Sequence, residues 1–387
     1  MSLQASRMAS GAIPTLKENE RTHPATSTMY CHGKMFACME LSPPFKIKID
    51  EKGVVQSGGF DDADGALERF SAHYKEEGTS GETHYMTTGF FSPVCTYGVL
   101  NKEAQPIHEL KLPFAFPPPA FLHDYSLTEN YTVVVDHSQR LNPAGLVPGK
   151  LYEFMPRFKV RFGLIPRNCR NPTEVKWFDT GKPGFHWHVV NGWETADDKV
   201  ILYMPLFDEY PCSMPVHIAV EPPSYLHRFE LDLATGTVSG GKCESMGAMV
   251  TERCEVNRSF IGKPTTEWAY LMKRGEDSMY DGVIKYNLQT NQVDTVVEFG
   301  PKRQGGECLF IPKAGAEKED AGYLIDIIFE GDEKAEDGIG FSELCIWDAE
   351  ALTTEPIAKV AMPHRIPFGV HANWLEEAEL KKQMAWF

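Results

Sequence analysis

Four histidines sit in short segments whose neighbouring residues look selected: His23 in THP, His123 in FLHDYSLTENY, His188 in FHWHVVNGWE and His371 in PFGVHANW. Neutral imidazole is the usual nitrogen ligand of iron, copper and zinc. The ligands of a structural zinc site usually lie close together in sequence. These four are spread over most of the chain. They can meet only if the fold returns distant segments to one axis. A lone histidine in a β-rich chain is more often a structural residue than a ligand, so the weight rests on the architecture and on the segments around each histidine.

The elements that must position them are strands. MFACMEL, FKIKID, YTVVVD, KVRFGLI, KVILYMPLF, YLHRFELDL, TVVEF and GYLIDIIF are β-rich runs separated by Gly, Pro, Asn and Asp. Helical patterns are few: GALERFSAHYKEE (65–77) and EEAELKKQM (376–384). Strand–turn–strand units recur around Asp50, Asn101, Asn168, Asp232, Asn287 and Asp348. A loose period of roughly 50 to 60 residues suits propeller blades with long loops, and six hairpins predict about six blades. A large sandwich or barrel is the alternative. Such a propeller can project one side chain from each of several inner strands toward its axis.

The chain has 387 residues, enough for a large core. A net charge of −16 excludes nucleic acid as a partner, because phosphate binding needs a basic surface. Nine cysteines form no CxxC pair, which argues against a disulfide framework and against thiolate zinc, and predicts a reducing compartment. No apolar run is long enough to span a membrane. The segment 112–122 is almost wholly apolar and carries Pro117, Pro118 and Pro119, so it is no regular helix. It reads as a core-lining loop or as a patch for peripheral membrane contact. The N-terminal MSLQASRMASGAIPTLK reads as a disordered end and resembles a transit peptide only weakly. No HExxH zinc-protease motif and no GxSxG nucleophile elbow occurs.

Longer segments carry a resemblance. FLHDYSLTENYTVVVD is similar to the HDFxxTxNYxVxxD segment of the carotenoid cleavage oxygenases, and FHWHVVNGWE to their FHxxNAxE segment. GGECLFIP, EDAGYLIDIIF, SELCIWDAEAL and RIPFGVHANW follow in the family's order. The resemblance runs from about His23 to Trp374 and implies an all-β, seven-bladed β-propeller, here with about six blades present, and with a helical or loop cap over a metal axis. Residues 23–387 would form one propeller domain, and 1–22 a disordered or residual segment.

It further implies non-haem Fe(II) held by His23, His123, His188 and His371. His186 is a rival to His188, and His32 a rival to His23. Three glutamates would orient the ligands. Glu307 and Glu252 match two of them, with Glu255 a neighbour of the latter. The third should precede the first histidine and has no match in the stretch before His23, so the chain reads as N-terminally shortened.

The implied activity is oxidative cleavage of one C=C bond of a carotenoid or apocarotenoid by O2 into two carbonyl products, with no catalytic residue beyond the metal centre. The hydrophobic polyene would lie against Phe121, Phe185, Trp187, Trp193 or Phe368. The alternatives are stilbenoid cleavage, an isomerase or hydrolase on the same iron scaffold, and a catalytically inactive propeller that serves as a binding module. The compartment implied is cytoplasmic or plastid.

Overall fold

The computed structural model describes residues 26–384 except 32, 41, 64–66, 68, 78–79, 89–93, 114–118, 143–151, 211–220, 276–278 and 332–339. Strands pair antiparallel into six blades. Blade 1 is β1 (Ser27–Cys31), β2 (Lys34–Cys38), β3 (Phe45–Ile49) and β4 (Val55–Phe60); blade 2 is β5 (Lys75–Glu76), β6 (Thr83–Thr88), β7 (Val94–Leu100) and β8 (Pro106–Pro113). Blade 3 is β9 (Ser126–Leu127), β10 (Tyr131–Asp136), β13 (Arg161–Pro166) and β14 (Lys176–Asp179), with a side hairpin of β11 (Gln139–Leu141) and β12 (Tyr152–Phe154). Blade 4 is β15 (Asn191–Glu194), β16 (Lys199–Leu206), β17 (Tyr225–Asp232) and β18 (Thr237–Lys242). Blade 5 is β19 (Val250–Glu255), β20 (Trp268–Arg274), β21 (Tyr280–Asn287) and β22 (Gln292–Glu298). Blade 6 adds two short strands, β23 (Arg303–Gln304) and β24 (Leu309–Pro312), on one edge of β25 (Gly322–Glu330), followed by β26 (Phe341–Asp348) and β27 (Ala358–Ala361).

The six turns expected from sequence each join the third and fourth strands of one blade. The reason is local. Asp50 Oδ1 accepts from Lys52 N and Val54 N, and Asp232 Oδ1 from Ala234 N and Thr235 N. Asn287 and Asp348 make the same turn-capping bonds.

Apolar clusters join consecutive blades. Met29 and Phe36 of blade 1 pack with Tyr85 of blade 2, Tyr97 of blade 2 with Val134 of blade 3, and Phe162 of blade 3 with Leu202 of blade 4. Tyr203 packs with Tyr286 across blades 4 and 5, and Tyr270 with Phe310 across blades 5 and 6. Among the described residues no such cluster joins blade 6 to blade 1. The described residues thus form six blades, the number the six hairpins predicted, and among them an apolar cluster covers blade 6 on one face only. Leu324, Ile328, Cys345 and Trp347 face blade 5 and are buried. The opposite face carries Tyr323, Ile325, Ile327 and Phe329 of β25 beside Leu344 and Ile346 of β26, all partly or fully exposed. A double Ile327→Ser, Val360→Ser variant should bind less of a hydrophobic dye such as ANS than wild type, with its melting temperature unchanged to within about 2 °C, because both residues are exposed.

One expectation changes. The described part of 65–77 is not helical. Leu67 and Phe70 of this run are buried in the core between blades 1 and 2 from an irregular connection. The one α-helix among the described residues, α1 (Glu377–Gln383), was expected, and it packs on blade 1, where buried Gln383 exchanges two hydrogen bonds with the backbone of Ile49. No described helix is long and apolar enough to cross a membrane. The flanks of the apolar segment, Leu112, Ala120, Phe121 and Leu122, are buried, and 114–118 lie outside the described residues.

Candidate metal centre

Four imidazoles converge: His73, His123, His188 and His371, with their nitrogens all within 4.8 Å of one another. His73 Nε2 lies 3.0 Å from His123 Nε2, and His188 Nε2 lies 3.3 Å from His371 Nε2. An ion about 2.1 Å from each nitrogen would hold neighbouring donors about 3 Å apart, so the spacing fits one metal. Three of the four expected histidines are in the cluster. The fourth place, given to His23 in the sequence reading, is occupied by His73. His23 and His32 lie outside the described residues.

The expected glutamates stand behind the rings. His188 Nδ1 is 2.6 Å from Glu252 Oε2, and His371 Nδ1 is 2.8 Å from Glu307 Oε1. His123 Nδ1 meets Glu40. Glu40 thus stands where a third glutamate was expected; it lies after His23 but precedes His73. A carboxylate that accepts the Nδ1 proton leaves the Nε2 lone pair facing the cluster. Glu255 is not one of them. It accepts from Phe310 N, and burial raises its carboxyl to about 7. Burial and then the neighbouring imidazoles hold His73 and His188 well below the ordinary range, which keeps them neutral. Burial also opposes charge on His123, but Glu40 outweighs it and the net shift is upward.

None of the four histidines lies in a strand. His73, His123 and His188 each sit two or three residues ahead of the first strand of a blade, β5, β9 and β15. Motif residues that touch no imidazole fasten these entry segments together. Asn191, at the start of β15, donates to Phe260 O and Thr266 Oγ1 and accepts from Gly262 N, fixing blade 4 to the loop after Glu252. Gly262 has φ +77°, and a Cβ there would meet Leu127 O at 2.8 Å, so glycine is required. Glu194 accepts from Thr128 Oγ1, Asn130 N and Asn130 Nδ2, which ties the LTENY segment of blade 3 to blade 4.

The two sides of the cluster differ. On one, Phe121 stacks with His123 at 6.0 Å and Trp187 meets it edge-on at 5.1 Å. Phe185 packs on Trp187, whose Nε1 donates to Glu221. On the other, a polar cavity of about 500 Å³ is lined by His73, His188, His371, Lys75, Asp124 and Arg258. A second cavity, of about 310 Å³, adjoins His371 and is lined by Phe368 and Asp326 among others. Trp193 is away from all of these, buried against Tyr203 between blades 4 and 5. His186 is buried beside His137, with both ring nitrogens unpartnered, and is not in the cluster.

The chain is similar to known proteins. A family model described as "Retinal pigment epithelial membrane protein" matches residues 3–376. Carotenoid 9,10(9',10')-cleavage dioxygenase 1 of Arabidopsis thaliana is 29% identical over 378 residues, covering 92% of this chain and 67% of the relative. The chromoplastic zeaxanthin 7,8(7',8')-cleavage dioxygenase of Crocus sativus is 29% identical over 373 residues, covering 92% of this chain and 96% of the relative. A solved variant of the Synechocystis apocarotenoid oxygenase superposes with a TM-score of 0.77 at 23% identity, covering 92% of this chain and 75% of that one. At that identity the likeness shows the propeller fold.

Proposed function

The chain belongs to the retinal pigment epithelial membrane protein family, the family of the carotenoid cleavage dioxygenases, and from that premise we propose that it uses Fe(II) and O2 to split one C=C bond of a carotenoid or apocarotenoid into two carbonyl products. The observation that carries the reading is the set of four converging imidazoles, three of them backed by glutamates. His73, His123, His188 and His371 would hold the metal as neutral ligands through Nε2. Bound Fe(II) supplies the activation of O2. A ligand set of four histidines would also admit other divalent metals, so iron rests on the family.

The chain's own part is positioning. Glu40, Glu252 and Glu307 fix the imidazole planes and tautomers. Phe121, Trp187 and Tyr152 form an apolar wall beside His123, which suits a polyene and keeps water from that side. Glu221 holds the Trp187 indole in place by one hydrogen bond. The balance is complete without a further reductant: one C=C bond breaks, and each carbon receives one oxygen atom of O2. The proposed location is cytoplasm or plastid; the Crocus relative is named chromoplastic.

The test is to load the purified chain with Fe(II) and supply a carotenoid in micelles under labelled O2. The reading expects one O2 consumed per bond and label in both carbonyl products, with activity lost in His188→Ala. An isomer or hydrolysis product without O2 uptake would move the assignment to an isomerase or hydrolase. Folded, iron-loaded protein with no turnover on carotenoids or stilbenoids would leave a binding module.

A further inference from the structure

His371 is the cluster member with the least regular support. The segment from Pro363 to Trp374 has no regular secondary structure and is mostly exposed. Its fastenings come from side chains and loops: His371 meets Glu307, Arg258 donates to Asn373 Oδ1, and Asn373 donates to Thr28 O. Ile366 N donates to Ser342 Oγ upstream, and Ala372 N donates to Glu307 Oε2 downstream. Between them, Arg253 Nη1 donates to Gly369 O at 3.0 Å. The Arg253 guanidinium also faces the Phe368 ring at 4.8 Å and the Tyr280 ring of blade 5 at 5.1 Å. A cation over two aromatic faces and a charge-assisted hydrogen bond together hold the backbone two residues before His371.

Arg253 stands where it does because β19 is bulged. Glu252 pairs with Met272 and Cys254 pairs with Leu271, so Arg253 is an extra residue in the strand. Its φ is +51°, in the left-handed region that a side chain rarely adopts. In a regular strand Glu252 and Arg253 would point to opposite faces of the sheet. A bulge re-aims the side chains at its site. Here Glu252 reaches His188 while Arg253 reaches the segment that carries His371. The two are also joined directly, since Arg253 N donates to Glu252 Oε2 at 2.7 Å.

We propose that Arg253 is a positioning residue that sets His371 against His188, and that the backbone strain at this bulge is retained for that purpose. The inference rests on the metal-site reading above, but part of its test does not. The first readout is hydrogen exchange of the Gly369–Ala372 amides in metal-free protein; the second is the rate at which a chelator strips Fe(II) from loaded protein. The key variant is Arg253→Gly, which removes the side chain and also relieves the positive φ, so a purely structural role predicts an equal or better protein. The proposal expects the melting temperature to hold or rise, faster exchange of those amides, and Fe(II) release accelerated about 10- to 100-fold. Arg253→Lys, which keeps a donor for Gly369 O, should recover part of the retention, and Arg253→Met should not. If Arg253→Gly protects the amides and keeps iron as wild type does, the proposal is wrong. If the wild type itself binds no iron, the metal-site reading fails, and the amide exchange still decides whether Arg253 fastens the segment.

Discussion

His73→Ala should abolish stable iron binding, and His23→Ala should leave it intact. In the first variant three imidazoles remain, and the gap falls on the nitrogen that lies 3.0 Å from His123. Loss of a partner one bond further out already costs about 10- to 100-fold in metal affinity, so loss of a ligand should cost at least that much. Glu40→Gln should fall in that lower range, because it weakens the support of His123 without removing a donor. The measurement is elemental analysis of each purified protein after dialysis against a weak chelator, with circular dichroism as the folding control. The fold should survive His73→Ala, since the ring lines a polar cavity and packs in no apolar cluster among the described residues. Full iron in His73→Ala, or its loss in His23→Ala, would return the fourth ligand to the N-terminal segment.

The confusion between these two histidines marks where sequence reasoning stops. Strands and hairpins were legible because their signals are local: alternation along YTVVVD, an Asp or Asn whose side chain caps the turn that follows it. All six turns fell where expected. His73 was hidden by a misleading local signal. Leu67, Phe70 and the charged residues after them mimic a helical period, although the described part of the segment is an irregular crossing from blade 1 to blade 2. Glu40 was missed as a consequence, because the search for it ended at His23. With His73 as the first histidine, a full blade and the third glutamate precede it. Asp124 lies in the quoted HDFxxTxNYxVxxD match, but neither its partners nor those of Arg253 can be read from the sequence. They depend on which distant segments a carboxylate or a guanidinium meets after folding.

Asp124 is the clearer case, and its removal should be among the most destabilising single changes in the chain. Its side chain is 2% exposed and pairs with Lys75 Nζ at 2.8 Å. Oδ2 accepts from Val189 N at 2.8 Å, and Oδ1 accepts from Tyr125 N at the same distance. The three partners are spread over the entry segments of blades 2, 3 and 4: Lys75 is two residues beyond His73, Asp124 follows His123, and Val189 follows His188. One carboxylate thus joins three of the four histidine-bearing segments. Burial opposes its charge, but Lys75 and the Val189 N–H draw its ionisation below the ordinary carboxylate range, so it is a charged fastening. Removing one partner of a buried ion pair typically costs about 3 to 5 kcal/mol, mostly because the other charge is left uncompensated. Asp124→Ala should fall toward the lower end, since the Lys75 side chain is 17% exposed and can reach water. Adding Lys75→Met should restore part of the loss but not all, because Val189 N and Tyr125 N still lack an acceptor, at about 1 to 3 kcal/mol for each buried donor. Urea denaturation of the metal-free wild type, the two single variants and the double variant closes the cycle without reference to iron. A cost below about 1 kcal/mol for Asp124→Ala, with no coupling to Lys75, would mean that the blades hold these segments in place by themselves.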